Sequence, residues 1–169
     1  MNEDQHKDQA GRIKLLLTDV DGVLTDNGVF YGESGEVLKR FSIRDGMGVE
    51  RLRKLAAIET GIVTGELSPS VARRAEKLQI TELHLGVKDK LERLNEIMGR
   101  LRIGWDEIAY IGDDVNDLEV MEKAGLSACP ADAMEQVSGI VHYHCAANGG
   151  YGAFREFAEW LITLKNNSI

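Results

Sequence analysis

Residues 13–25 read Ile13-Lys14-Leu15-Leu16-Leu17-Thr18-Asp19-Val20-Asp21-Gly22-Val23-Leu24-Thr25, an apolar run that breaks into an acidic, glycine-bearing turn. The run over 13–17 is interrupted only by Lys14. It is too short for a helix and continuous rather than alternating, which suits a strand buried on both faces of a parallel sheet. Parallel strands need crossover helices, and the rest of the chain supplies them. Short apolar stretches at 57–63, 82–85, 108–111 and 126–129 alternate with helical stretches at about 46–55, 68–78, 88–101 and 115–124. Within 88–101, Leu91, Leu94, Ile97, Met98 and Leu101 recur at three- and four-residue spacing and form one buried stripe. Ser68 ahead of Pro69 is an N-cap followed by proline at the first helical position. An amphipathic helix at about 153–164 closes the chain. The alternation predicts one α/β domain, a doubly wound parallel sheet of Rossmann-like type with right-handed crossovers.

Two segments stand outside that rhythm. Val29-Phe30-Tyr31 and Glu36 to Phe41 flank Gly32-Glu33-Ser34-Gly35 and read as a β-hairpin inserted after the first strand. Residues 1–12 are polar and aperiodic and read as a disordered leader, leaving 13–169 as the domain.

The chain has 169 residues, 20 Lys plus Arg against 28 Asp plus Glu, and a formal charge of -8. That balance is opposite to a duplex-binding surface, so nucleic acid is not an expected partner. Two cysteines, Cys129 and Cys145, cannot form a disulfide framework. The polar start lacks the apolar region of a signal peptide, and no apolar run reaches the roughly 20 residues of a spanning helix. A cytoplasmic protein with no membrane partner is the expectation.

In an open α/β sheet, ligands sit beyond the carboxyl ends of the strands. There the first strand places Asp19 and Asp21, the second Thr64, Gly65 and Glu66, and the fourth Gly112-Asp113-Asp114-Val115-Asn116-Asp117. Lys90 stands two residues into the helix that follows the third strand. Several carboxylates at one sheet edge repel one another unless a cation neutralises them, and an all-oxygen donor set points to Mg²⁺. A carboxylate beside such an ion is a competent nucleophile toward phosphorus. A second carboxyl two residues on can protonate the leaving oxygen and then activate water. Thr64 and Lys90 can meet the equatorial oxygens of a phosphoryl group.

Asp19-x-Asp21-Gly22-Val23-Leu24-Thr25, Thr64-Gly65, Lys90 and Gly112-Asp113-Asp114-x-x-Asp117, in that order, resemble the four motifs of the haloacid dehalogenase superfamily. The resemblance implies that Asp19 is the nucleophile, Asp21 the general acid and base, and Thr64 and Lys90 the phosphoryl-binding pair. It also implies that Asp19, the backbone carbonyl of Asp21 and Asp113 hold Mg²⁺, with Asn116 or Asp117 supporting from behind. The roughly 40 residues between Asp21 and Thr64 are consumed by a hairpin and a helix, so the chain resembles capless members. Arg44-Asp45-Gly46 and Gly149-Gly150-Tyr151-Gly152-Ala153-Phe154-Arg155-Glu156 narrow this to the 3-deoxy-D-manno-octulosonate 8-phosphate phosphatases. That likeness implies a sugar-acid phosphate substrate touched by Asp45, Gly65 and Arg155, and a homotetramer assembled through the hairpins. Glu66 stands where that group usually carries arginine. With Lys77 it is similar to the branch acting on nine-carbon 2-keto-3-deoxy acid 9-phosphates. Physically, Lys77 can pair with the carboxylate of either substrate and Glu66 can accept from its hydroxyls, so the choice between eight and nine carbons stays open.

Two other classes compete with a phosphatase. A receiver-like signalling domain also forms an aspartyl-phosphate, but it carries adjacent acids at strand one and its phosphorylated aspartate on a middle strand. A silent assembly module related to the C-terminal domain of acylneuraminate cytidylyltransferases would need no intact site. Among the remaining residues, His142 and His144 lack further ligands at zinc spacing and are read as ordinary strand residues. Cys129 is read as a small buried hydrophobe. Gly149, Gly150 and Gly152 lack the strand context of a dinucleotide fingerprint and are read as a flexible loop.

Overall fold

The computed structural model describes residues 2–167. In chain order the elements are α1 (Glu3–Arg12), β1 (Leu15–Thr18), β2 (Thr25–Gly32), β3 (Gly35–Phe41), α2 (Ile43–Ala56), β4 (Glu59–Val63), α3 (Pro69–Lys77) and β5 (Glu82–His84). Then follow α4 (Lys90–Leu101), β6 (Ile108–Ile111), α5 (Leu118–Lys123), β7 (Leu126–Cys129), α6 (Glu135–Ser138), β8 (Tyr143–His144) and α7 (Ala153–Asn166). Single 3-10 turns precede β6 and α5.

All four residues of β1 are buried, as the uninterrupted apolar run requires. The strand pairs in parallel with β4 on one side (Leu16↔Thr60) and β6 on the other (Leu16↔Ala109). The sheet runs β5-β4-β1-β6-β7-β8, every pairing parallel. The chain therefore winds outward from β1 through β4 and β5, then returns and winds the other way. The reversal lies at β1, which is where a doubly wound sheet opens its ligand crevice.

Alternate side chains of β1 feed two cores. Leu16 joins α1, α2, α3 and α7 through Ala10, Val49, Leu52, Val71, Phe154, Phe157 and Leu161. Leu15 and Leu17 join α4, α5 and α6 through Leu94, Ile97, Val120, Met121 and Val137. The stripe read over 88–101 faces this second core, although α4 begins only at Lys90, with Asp89 as its N-cap. Ser68 caps α3 as expected, its side chain accepting from the Val71 N–H.

The reading of a disordered leader is corrected. Residues 3–12 form α1, nucleated by a reciprocal cap in which Asn2 Oδ1 accepts from the Gln5 N–H and Gln5 Oε1 from the Asn2 N–H. The helix is held by Ala10 in the core, by Gln9 Nε2 on the Asp106 carbonyl and by the His6 ring edge-on to Trp160 at 5.3 Å. Its apolar side is one alanine, so periodicity could not reveal it. Strand β8 at the sheet edge is only two residues long and likewise leaves little pattern.

Between β1 and β4 the chain spends its length on the β2–β3 hairpin and α2, and between β4 and α4 on α3 and β5. No cap domain is inserted among the described residues. The glycine-rich segment before α7 is braced rather than loose: the Gly150 N–H bonds the Val23 carbonyl at 2.9 Å and the Gly149 N–H bonds Asp132 Oδ1 at 2.9 Å. Gly150, at φ +69°, lies so close to the Thr25 backbone that a Cβ would collide with it. Both cysteines are buried and free. No helix among the described residues is long and apolar enough to cross a membrane.

Candidate active site

The carboxyl ends of β4, β1 and β6 lie side by side and deliver Thr64, Asp19 and Asp113 to one open cleft of about 270 Å³. Asp21, Gly65, Glu66 and Asn116 complete much of its wall. Six of the residues singled out from sequence therefore converge: Asp19, Asp21, Thr64, Gly65, Glu66 and Asp113.

Asp19 extends β1 by one more backbone bond, its N–H to the Ile111 carbonyl at 3.1 Å. Its carboxylate accepts from the Val20 N–H at 2.7 Å and lies 3.1 Å from Lys90 Nζ. Burial pushes the Asp19 carboxyl up to about 6, against the pull of Lys90 and with the help of Asp117. Gly22 turns the chain at φ +81°, and a Cβ there would strike the Asp113 carboxylate. Only glycine lets strands β1 and β6 present their acids this close together.

Asp117 is wholly buried and works from beneath. Its Oδ1 accepts from Lys90 Nζ and from the Tyr110 hydroxyl, each at 2.6 Å, and its Oδ2 accepts from the Asp113 N–H at 3.3 Å. Burial, and after it the Asp117 charge, holds the Tyr110 phenol well above its ordinary range, so it remains a donor. Burial works to lower the Lys90 ammonium, but Asp19 and Asp117 together outweigh it and the pKa is raised. Lys90 is thus a permanent cation behind the nucleophile position.

Oxygen atoms of Asp19, Asp113 and Asp117 lie within 4.8 Å of one another, the one such acidic group among the described residues. Asp117 is already committed to three donors, which leaves Asp19 and Asp113 to face the cleft. Burial first, and then the charges of Asp19, Asp117 and Asp114, pushes the Asp113 carboxyl up to about 7. Crowded carboxylates in this condition fit a small hard divalent cation, whose charge would offset both causes.

Sequence reasoning missed two residues. Asn27 lines the cleft and points Nδ2 toward Asp113 Oδ2 at 3.4 Å. It adopts φ +65° where the β2–β3 register slips between Thr25 and Val29, and Asp26-Asn27-Gly28 was a turn signal that could have located it. Lys39 of β3 donates to both Asp21 oxygens, at 2.8 and 2.6 Å. No local pattern announces it, because the contact depends on hairpin register across 18 residues.

Three expected substrate contacts lie elsewhere in this chain. Asp45 is buried in α2 and accepts from the Arg155 N–H at 2.9 Å, acting as a cap for α7, whose own Gly152 has no side chain to do so. The Arg155 side chain turns to Glu159 at 2.7 Å. Lys77 is exposed at the last turn of α3, about 12 Å along the helix from the end that meets the cleft.

A family model described as haloacid dehalogenase-like hydrolase matches residues 62–154. The 3-deoxy-D-manno-octulosonate 8-phosphate phosphatase KdsC of Yersinia pestis is 39% identical over 158 residues, covering 94% of this chain and 84% of that protein. The crystal structure of the corresponding Moraxella catarrhalis phosphatase, in complex with magnesium, phosphate and KDO, superposes with a TM-score of 0.91 at 35% identity. It covers 99% of this chain and 95% of that one. The cobalt-bound Haemophilus influenzae phosphatase gives a TM-score of 0.89 at 36% identity, covering 95% and 93%. Matched by the family model over more than half its length and by these relatives over nearly all of it, the chain belongs to the haloacid dehalogenase-like hydrolases.

Proposed function

We propose that the protein is a Mg²⁺-dependent phosphatase that removes the terminal phosphate monoester of a 3-deoxy-2-keto sugar acid. The observation that carries this is the meeting of Asp19, Asp21, Thr64 and Asp113 in one cleft, with Lys90 behind Asp19. Magnesium held by Asp19, Asp113 and the backbone carbonyl of Asp21 would supply the positive charge that lets a phosphate dianion approach so acidic a site.

In the first half-reaction an Asp19 oxygen attacks phosphorus and displaces the sugar oxygen, while the Asp21 carboxyl gives that oxygen its proton. The products are an acyl phosphate on Asp19 and the free sugar acid. In the second, Asp21 takes a proton from water as the water oxygen attacks the same phosphorus. The P–O bond to Asp19 breaks, and carboxylate and inorganic phosphate are regenerated. Thr64 donates to the transferring group, and Lys90 balances charge behind Asp19 throughout.

The named relatives act on the eight-carbon 8-phosphate, and that class is the starting substrate. Glu66 favours a second reading, the nine-carbon 9-phosphate. A carboxylate at the cleft mouth accepts from the hydroxyls of a longer polyol chain better than it tolerates a substrate carboxylate. Lys77 would serve that substrate only when a second copy brings it to the cleft. Assembly is supported by the hairpin, which exposes Phe30 (61%), Tyr31 (71%), Val37 (58%) and Leu38 (47%), and our reading is a homotetramer built on the hairpin. Phosphate release with Mg²⁺ from both sugar-acid phosphates tests the reading. Turnover of either supports it, the ratio of kcat/KM names the chain length, and no release from either overturns it.

A further inference from the structure

We infer that Lys39 is a positioning residue that holds the Asp21 carboxylate in place for proton delivery to the leaving oxygen; this rests on the reading of Asp21 given above. Lys39 sits on a hairpin whose neighbouring side chains, Leu38 and Arg40, face solvent, yet its own side chain is only 1% exposed. Its ammonium grips both Asp21 oxygens, at 2.8 and 2.6 Å, and stands 3.6 Å from Glu36. Glu36 in turn accepts from the Ser68 hydroxyl, and Ser68, two residues after Thr64-Gly65-Glu66, caps α3. The base of the hairpin thus ties together the two loops that flank the cleft, one carrying the proton donor and the other the phosphoryl-binding threonine.

Burying an ammonium is costly, and an apolar side chain of similar size would suit a merely structural seat better. Apart from Lys39, the carboxylate of Asp21 has among the described residues only the Thr25 hydroxyl, at 3.3 Å. Without Lys39 it would be free to leave the orientation from which it reaches the leaving oxygen. When it gives up its proton, negative charge develops 2.6–2.8 Å from Lys39 Nζ, so the contact strengthens as the transfer proceeds. Lys39 does not line the cleft, and in this proposal it acts only through Asp21.

The test compares kcat/KM, which covers binding and phosphoryl transfer but not hydrolysis of the acyl phosphate, on two substrates. One is the sugar-acid phosphate the wild type prefers, whose alkoxide must be protonated. The other is p-nitrophenyl phosphate, whose leaving group needs no proton. Lys39→Met is expected to lose roughly tenfold to a hundredfold on the first, within what a general acid contributes, and less than about threefold on the second. Lys39→Arg should recover most of the loss, and Lys39→Gln, which keeps one donor and serves if the methionine variant does not fold, should fall between. Equal losses on the two substrates, or no loss on the sugar-acid phosphate, would overturn the inference. Asp21→Asn run alongside must show the same contrast. If it slows both substrates alike, Asp21 is not the donor and the site reading itself fails, whatever Lys39 does.

Discussion

At the scale of single residues the site is a charge problem. Asp19 and Asp113 carry carboxyls raised to about 6 and about 7 from an ordinary 3.8, with burial as the first cause of both. Without a cation the folded protein therefore holds protons that the unfolded chain releases, and stability falls as pH rises from about 4 through 7. A divalent cation requires the ionised forms, so its stabilisation grows over the same window. At a hundredfold excess over Kd the gain is about 2.7 kcal/mol, or a Tm rise of about 5–10 °C at this chain length. Thermal melts should show that rise with Mg²⁺ at pH 8 and much less of it at pH 5; equal rises would mean that these carboxylates do not hold the ion. Asp19, Asp21, Thr64 and Asp113 were legible in the sequence because each ends a strand beside a small or acidic neighbour. Lys39 and Tyr110 were not, since one reaches its partner through hairpin register and the other is a buried strand residue whose hydroxyl happens to lie under Asp117.

At the scale of elements, the parallel strands and most of the crossover helices follow from runs of apolar residues and from caps such as Ser68 and Asp89. What lacked periodicity was hidden: α1, with one buried alanine, and β8, with two residues. Asp45 shows how an element-level role can resemble a site role. It follows the helix-start Arg44 in a stretch whose resemblance pointed to a substrate contact, and in this fold it caps α7 from α2, while burial pushes its carboxyl up to about 6. Asp45→Ala should cost about 1–2 kcal/mol, a Tm fall of about 3–6 °C, with KM for the sugar-acid phosphate unchanged. A raised KM with an unchanged Tm would return Asp45 to the substrate. The glycine-rich segment before α7 is similar: its sequence suggests mobility, while its backbone is pinned to Val23 and Asp132.

At the scale of the whole molecule, a doubly wound sheet without a cap leaves its cleft open, and the hairpin beside it exposes several large apolar side chains. Phe30→Glu together with Leu38→Glu should convert the proposed homotetramer to a smaller species in sedimentation, while far-ultraviolet circular dichroism stays unchanged. A wild type that already sediments as a monomer would contradict the assembly. Phosphate is expected to pass through Asp19, and trapping the acyl phosphate is the measurement that decides it. The Asp21→Asn protein lacks the base for the second half-reaction but not the nucleophile for the first. Mixed with Mg²⁺ and p-nitrophenyl phosphate, quenched in acid and digested, it should yield a peptide containing Asp19 that carries one phosphoryl group, and the Asp19→Asn/Asp21→Asn protein should yield none. A phosphoryl group on another residue, or phosphate release that persists undiminished when Asp19 is asparagine, would contradict the account.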